Sequence, residues 1–433
     1  MKKLTVGMAG LVFIVNLAYA QTPGPVQEPR ETRVRVENRV SVVVNDTDVR
    51  VKSTIQDDGP MRNKSVSKSF SAGNSDKLVL SNSFGSIQIK VWDKREIKVD
   101  IDIKAYANSD SEAQELIDAV SIESGKTGDE IAFRTKLDRE NKNWGNGTRN
   151  GKKWRREVKI NYVVYMPASN SLTLSQIYGS GVTIGDFSGP LYAKVQFADF
   201  TAQNLKNSNN YISVQYGKTN IQSVNVAKIR QQYGSGLVIG TVNTLDLDAQ
   251  YSSVNVTTVN GNALIKQQYG GGLALGSVDN LDLNIQYASA KINTIKGNAK
   301  VDQQYNSITI GSVGKLDLST QYTTVNVGVL RGDGKFNMEY NKLIIGEITK
   351  GCKVLNIDGE YVGISTGFSE GYDADFDVQT NYASFKYGSG VAARQINNDD
   401  KEYSSKKYYI GKIGSGSSAT VKIKSEYGSV TFK

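Results

Sequence analysis

The dipeptide Gln-Tyr returns about every 18 residues through the middle of the chain, ending at Tyr233, Tyr251, Tyr269, Tyr287, Tyr305 and Tyr322, with Glu-Tyr at Tyr340. Ahead of each tyrosine apolar residues take alternate positions, as in Leu245-Asp246-Leu247-Asp248-Ala249-Gln250-Tyr251, the pattern of a strand with one buried face. A turn-prone group such as Ser252-Ser253 or Gly234-Ser235-Gly236 follows, and then a second short strand such as Val254-Asn255-Val256. Two strands and two turns enclose no core alone, so neighbouring copies must stack to bury their apolar faces. The expected fold is all-β: a parallel β-solenoid (β-helix), right-handed, with coils of about 18 residues, preceded by a β-rich N-terminal region with one short helix. Roughly a dozen coils at about 4.8 Å each would make a rod roughly 60 Å long.

Two versions of the phrase alternate. Ala227 to Tyr233 recurs as Ala263 to Tyr269 and Ala299 to Tyr305, between copies of the Leu245 to Tyr251 kind. The best match is therefore at about 36 residues, and one larger four-stranded coil fits the same text as a duplicated pair. The tyrosines share the parity of the apolar residues, which predicts rings that point inward or close a corner, piled into a ladder. The same parity puts Gln231, Gln267 and Gln303 inward, where amides of successive coils would satisfy one another.

The chain opens with Lys2 and Lys3, an apolar run from Leu4 to Leu17, and Ala18-Tyr19-Ala20, which together read as a secretory signal peptide cleaved after Ala20. The run is shorter than the roughly 20 residues that span a bilayer, so no transmembrane span is expected in the mature form. Export to the periplasm or the cell surface follows. The single cysteine, Cys352, excludes an intrachain disulfide and an N-terminal lipid anchor at the cleavage site. The expected organisation is a signal peptide over 1–20, a lead-in over 21–65, and a β-rich region over 66–167 with a basic loop at 138–157. The β-solenoid repeats then occupy 168–390, and capping strands 391–433. Within the β-rich region, a helix is expected from about Ser111 to Val120, with Ser109 or Asp110 as its N-cap. Ile131 to Leu137 and Val158 to Met166 read as a hairpin with an unusually long connection.

The phrase Tyr165-Met166-Pro167, the recurring aromatic-Gly-x-Val-x-Ile coils, and the closing Gly411-Lys412-Ile413-Gly414-Ser415-Gly416 with Glu426-Tyr427-Gly428-Ser429-Val430 together resemble the bacterial putative-adhesin family of exported β-strand-repeat proteins. The likeness runs from about Phe70 to the C-terminus. It implies a parallel β-solenoid in an envelope or surface protein and supplies no catalytic residues.

There is no histidine in the chain, so Ser-His-Asp and Cys-His catalysis and His-containing zinc sites are absent. No cofactor or metal is expected. From Arg134 to Lys159 ten Lys or Arg face three Asp or Glu, against a whole-chain charge of +9, so the basic balance is mostly one loop. That loop carries Trp144, Arg149, Lys152, Lys153, Trp154, Arg155 and Arg156. Rings that stack on sugars beside cations that neutralise acids point to an anionic glycan, a lipid headgroup, an envelope protein or, without sequence specificity, nucleic acid. The competing reading is a solvated hairpin tip. Arg331-Gly332-Asp333 matches an integrin-binding tripeptide but falls at an ordinary turn.

Function reads as a non-enzymatic adhesin or scaffold acting through a solenoid face or the basic loop. The alternative is a β-helix carbohydrate-active enzyme on an acidic polysaccharide, for which Asp246, Asp282 and Asp317 would stack along one face. Solubilising residues on exposed strand positions account for the same three aspartates. An outer-membrane barrel ranks last, since the segments are shorter than a membrane crossing.

Overall fold

In the computed structural model, which describes residues 59–138, 144–396 and 405–433, alternation becomes strand at nearly every position where it occurs. The expected signal peptide, the lead-in as far as residue 58, Asn141 to Asn143 and most of the polar stretch beginning at Asn397 lie outside the described residues. In chain order the N-terminal part is β1 (Met61–Ser71), β2 (Lys77–Val91), β3 (Glu96–Tyr106), helix α1 (Asp110–Asp118), β4 (Val120–Thr127), β5 (Glu130–Leu137), β6 (Gly145–Arg149) and β7 (Lys152–Met166). The repeats give β8 (Ser171–Ile184), β9 (Leu191–Gln196), β10 (Phe200–Leu205), β11 (Asn210–Gln215), β12 (Lys218–Gln232), β13 (Gly236–Gln250), β14 (Val254–Gln268), β15 (Leu273–Gln286), β16 (Ala290–Leu330), β17 (Gly334–Ile348) and β18 (Val354–Phe368). The chain ends with β19 (Ala374–Asn381), β20 (Phe385–Tyr387), β21 (Val391–Ile396), β22 (Lys406–Ile413), β23 (Thr420–Glu426) and β24 (Val430–Phe432). Among the described residues the protein is all-β with one helix.

From β12 to β17 each strand pairs in parallel with the next, Ile229 on Leu247, Leu247 on Ile265, Ile265 on Leu283 and Leu283 on Val301. Each of these steps is one 18-residue copy, so a strand's neighbours lie one copy away and the 36-residue match is a sequence period only. The apolar column Ile229, Leu247, Ile265, Leu283, Val301 and Leu318 is fully buried.

The 36-residue alternation has a packing cause. The inward position two before the tyrosine alternates Gln231, Ala249, Gln267, Ile285, Gln303 and Thr320, all buried. Gln231 donates to Gly217 O at 2.7 Å and accepts from Thr219 Oγ1 at 2.6 Å, and Gln267 donates to Ser252 O at 3.0 Å. These amides bond to turn carbonyls of the preceding copy and do not form the inter-coil ladder expected of them. Gly234 and Gly270, just after the tyrosine, leave the room, because a Cβ at either would collide with the glutamine amide and with a neighbouring carbonyl. The amide ladder that does form belongs to the next residue, half-buried, with Gln196 donating to Gln215 at 3.0 Å and Gln215 to Gln232 at 2.8 Å.

The N-terminal region continues the same stacking. The first half of β2 lies parallel to β5 and β8, and its second half parallel to β7 and β8. β3 pairs antiparallel with β7, and β1 with β3. The expected hairpin of Ile131–Leu137 with Val158–Met166 is therefore replaced: both segments flank β2, and β5 has β4 as its antiparallel partner. Helix α1 begins as its sequence predicts, with Ser109 Oγ accepting from Glu112 N at 3.2 Å and Ala113, Leu116 and Ile117 buried. At the other end the chain doubles back. β23 inserts between β18 and β19, parallel to both, and β22 and β21 close that end antiparallel.

Candidate functional site

The tyrosine of each copy sits at a corner where the backbone takes the left-handed conformation. Fourteen aromatic residues share it, from Phe84 through Tyr178, Phe197 and the repeat tyrosines to Tyr382 and Tyr427, with φ between 49° and 64°. A residue at positive φ leaves the alternation of the strand, so its ring turns outward although its parity matches the buried set. Tyr233, Tyr251 and Tyr269 are 48%, 50% and 48% exposed, so of the two expected placements the corner is the one taken, and the rings stand half in solvent. The rings do stack: Tyr233, Tyr251, Tyr269, Tyr287, Tyr305 and Tyr322 lie 4.6–5.3 Å apart, centroid to centroid, and within 14° of parallel. Trp144 stacks on Phe84 at 6.2 Å at one end, and Tyr427 lies between Tyr361 and Tyr382 at 4.7 and 5.2 Å at the other. Because each inner ring has both faces covered by neighbours, the stripe offers phenol edges and no open face for a sugar.

The described part of the basic loop, from Gly145 to Arg156, is a tight hairpin. Asn150 and Gly151, with φ of 50° and 73°, form the two-residue turn between β6 and β7. Trp154 lies across the β6 backbone, close enough that a Cβ at Gly147 would stand 3.1 Å from its Nε1. Trp144 is half-buried against the core. The Arg155 guanidinium sits 3.9 Å over the Tyr106 ring and pairs with Glu157 at 3.0 Å. Arg156 reaches Glu112 at 3.3 Å and Glu115 at 3.8 Å, tying the hairpin to α1. Two tryptophans and two arginines are thus held in packing and ion pairs, while Lys152 and Lys153 are exposed; the side chain of Arg149 lies outside the described residues. Arg155 is balanced from within the hairpin by Glu157, and Arg156 by Glu112 and Glu115 of α1, remote from the loop in sequence.

The RGD tripeptide is closed on itself. Arg331 donates to Ser312 Oγ at 3.0 Å and to Ile295 O at 2.8 Å. Asp333 accepts from Lys353 N at 3.0 Å and Val354 N at 3.1 Å, which holds its carboxyl below the usual range, and pairs with Lys315 at 3.1 Å.

The face that carries Asp246, Asp282 and Asp317 is a groove of 1010 Å³ that runs along seven successive copies, from Thr244 to Asn356. One wall repeats Thr244, Asn262, Asn280 and Asn298, where Asn280 donates to Asn262 at 3.0 Å and Asn298 N to Asn280 at 2.9 Å. The other wall runs Asp246, Leu264, Asp282, Lys300, Asp317, Lys335. The floor column Leu245, Ala263, Leu281, Ala299, Leu316, Gly334 alternates large and small side chains, a shape signal present in the sequence. The three expected aspartates are on this wall, but Leu264 separates Asp246 from Asp282, and Lys300 follows Asp282. Asp246 and Asp282 stand two ladder steps apart, roughly 9–10 Å. Asp246 is 3.3 Å from Lys228, and Asp317 4.0 Å from Lys335.

Among the described residues no cluster of His, Cys, Asp and Glu could hold a metal ion, and no helix is long and apolar enough to cross a membrane. No family model and no curated protein matches the sequence. The solved structure of a putative cell adhesion protein from Clostridium sporogenes is similar at 10% identity, over 86% of this chain and 99% of that one, with a TM-score of 0.15.

Proposed function

We propose that the chain is a non-enzymatic exported contact protein, an adhesin or scaffold of the cell envelope or surface, and that its parallel ladders wind as a right-handed β-solenoid. The offset of 17 to 19 residues between paired strands from β12 to β16 supports the winding, and parallel strand connections are right-handed in nearly all proteins. The basic N-terminal segment ending in Ala18-Tyr19-Ala20 supports export, and the motifs around Tyr165-Met166-Pro167 and Glu426-Tyr427-Gly428 support kinship with the putative-adhesin family.

One observation carries the functional reading. The groove is built from side chains that recur once per copy, Asn at three successive steps with Asp, Leu or Lys beside them, and its carboxylates are spread along it beside lysines. A catalytic centre needs different groups converging on one reacting atom, and a glycosidase pair of carboxylates flanks one bond at about 5–9.5 Å, whereas Asp246 and Asp282 lie on one wall with Leu264 between them. Repeated columns suit contact along a length.

The test is a time course of reducing-end and unsaturated-product release from acidic and neutral polysaccharides, together with cell fractionation of the expressed full chain. The reading expects no product and recovery in the envelope or medium. Product release abolished by Asp282→Asn would replace it with a carbohydrate-active enzyme.

A further inference from the structure

The groove along the seven copies has a chemistry that selects among extended ligands. Four aspartates (Asp246, Asp282, Asp317 and Asp333) and three lysines (Lys300, Lys315 and Lys335) line it, a net charge of −1 over the whole length. A polyanion gains nothing from such a wall, and a polycation little. The strands beneath it are paired on both sides in parallel ladders, so their N–H and C=O groups are already bonded and cannot add an extended peptide as another strand. What remains to bind is a lining that is apolar over most of its exposed area, with Leu264 and Val354 at 38% and 44% exposure, edged by side-chain amides, carboxylates and ammonium groups.

Side-chain donors and acceptors in alternation are complementary to hydroxyl groups, which both donate and accept. The wall repeats at the strand spacing, about 4.8 Å, close to the advance per residue of an extended β-linked sugar chain. A polymer whose units recur at that pitch meets Asn262, Asn280 and Asn298 at three successive steps, with Leu264, Asp282 and Lys300 beside them. We infer that this groove binds a neutral linear polysaccharide lengthwise, with Asn262, Asn280, Asn298 and Asp282 bonding to its hydroxyls. The inference rests on the contact reading above and names its ligand class.

The experiment is isothermal titration of the full chain with length series of neutral oligosaccharides (cello-, xylo- and malto-oligosaccharides), with hyaluronan and heparin as charged comparisons. Product release is followed in the same samples. Affinity should rise with length until the ligand covers the groove, about six ladder steps or roughly 29 Å, and then level off. Asn280→Ala and Asp282→Ala, both at exposed positions, should each weaken binding by about fivefold to tenfold, the loss of about one hydrogen bond. Leu264→Arg should abolish binding by filling the groove, and Lys291→Ala, outside it, should leave binding within about twofold. Binding of no neutral series, binding indifferent to the three groove variants, or preference for the charged polymers would each overturn the inference. Cleavage of a bound neutral chain would leave the groove assignment standing and overturn the non-enzymatic reading instead, so the two fail separately.

Discussion

A tyrosine at positive φ is the residue on which each copy turns. The left-handed conformation costs about 1–2 kcal/mol for a residue with a Cβ, and each stacked pair returns about 0.5–1.5 kcal/mol beyond area burial. Tyr251, stacked on Tyr233 at 5.0 Å and on Tyr269 at 5.2 Å, collects two such pairs, and its N–H donates to Gln268 O at 3.0 Å. Since the hydroxyl stands at an exposed edge, Tyr251→Phe should be within about 0.5 kcal/mol of the parent in urea unfolding. Tyr251→Ala should lose about 1–3 kcal/mol, and Tyr251→Gly about 1 kcal/mol less than that, because glycine escapes the φ penalty. An order of Gly below Ala would refute the corner account.

The same scale gives a pH dependence. Burial pushes the Tyr162 phenol up to about 12 from its ordinary 10.0, against a hydrogen bond with Thr135. In the ladder the charge of Tyr340 raises Tyr322, and a hydrogen bond with Tyr305 raises Tyr287. Phenols raised in the folded state contribute stability that is complete below the unfolded value near 10 and lost as pH rises through about 12. The urea midpoint should hold to about pH 10 and then fall, and Tyr162→Phe should flatten part of that fall.

At the scale of the element, alternation read the repeat strands correctly and the single helix to within a residue or two, because each signal is local: period two along the strand, and Ser109 ahead of Glu112 at the cap. Two things were not local. Parity sent the tyrosines inward or to a corner; they take the corner with rings turned outward, and nothing in the text marks a positive φ at a bulky residue. The β5 and β7 segments read as a hairpin because both are strands with a turn-rich connection, whereas their common partner β2 lies 53 residues from β5 and 75 from β7 in sequence. The groove walls were visible as polar positions, and Asp246, Asp282 and Asp317 were picked out among them. Their interleaving with Leu264, Lys300 and Lys335 took meaning only once the neighbour in space was known to be one copy away. The glutamine and glycine that share a corner give a test at this scale. Gln231→Ala removes the bonds to Gly217 O and Thr219 Oγ1 and opens a cavity, for an expected loss of about 2–4 kcal/mol by chemical unfolding. Gln232→Ala, half-buried in the outer ladder, should lose about 1 kcal/mol or less.

On the scale of the whole molecule the chain closes its own array. The last strands, β23 and β24, lie between β18 and the β19–β20 pair, and Tyr427 fills the gap in the ring stack between Tyr361 and Tyr382. Phe432 meets Phe376 at 5.5 Å and Phe385 at 4.9 Å, both edge-on. Deleting residues 419–433 should therefore do more than fray an end: it separates two strands that have no direct pairing, and a lower thermal midpoint with a broadened transition is expected by calorimetry. Arg156→Ala should act on the opposite end, freeing the hairpin from α1 at about 1 kcal/mol because the pairs are partly exposed.

Three surfaces remain for a partner to choose between: the phenol stripe, the Lys152–Lys153 hairpin and the groove. Hydroxyl-radical footprinting of the full chain, with and without a neutral oligosaccharide long enough to span seven copies, reads all three at once. The account predicts protection of Leu264 and Val354 with no change at Tyr251, Tyr269, Lys152 or Lys153. Protection of the tyrosine stripe or the hairpin, with Leu264 and Val354 unchanged, would contradict it.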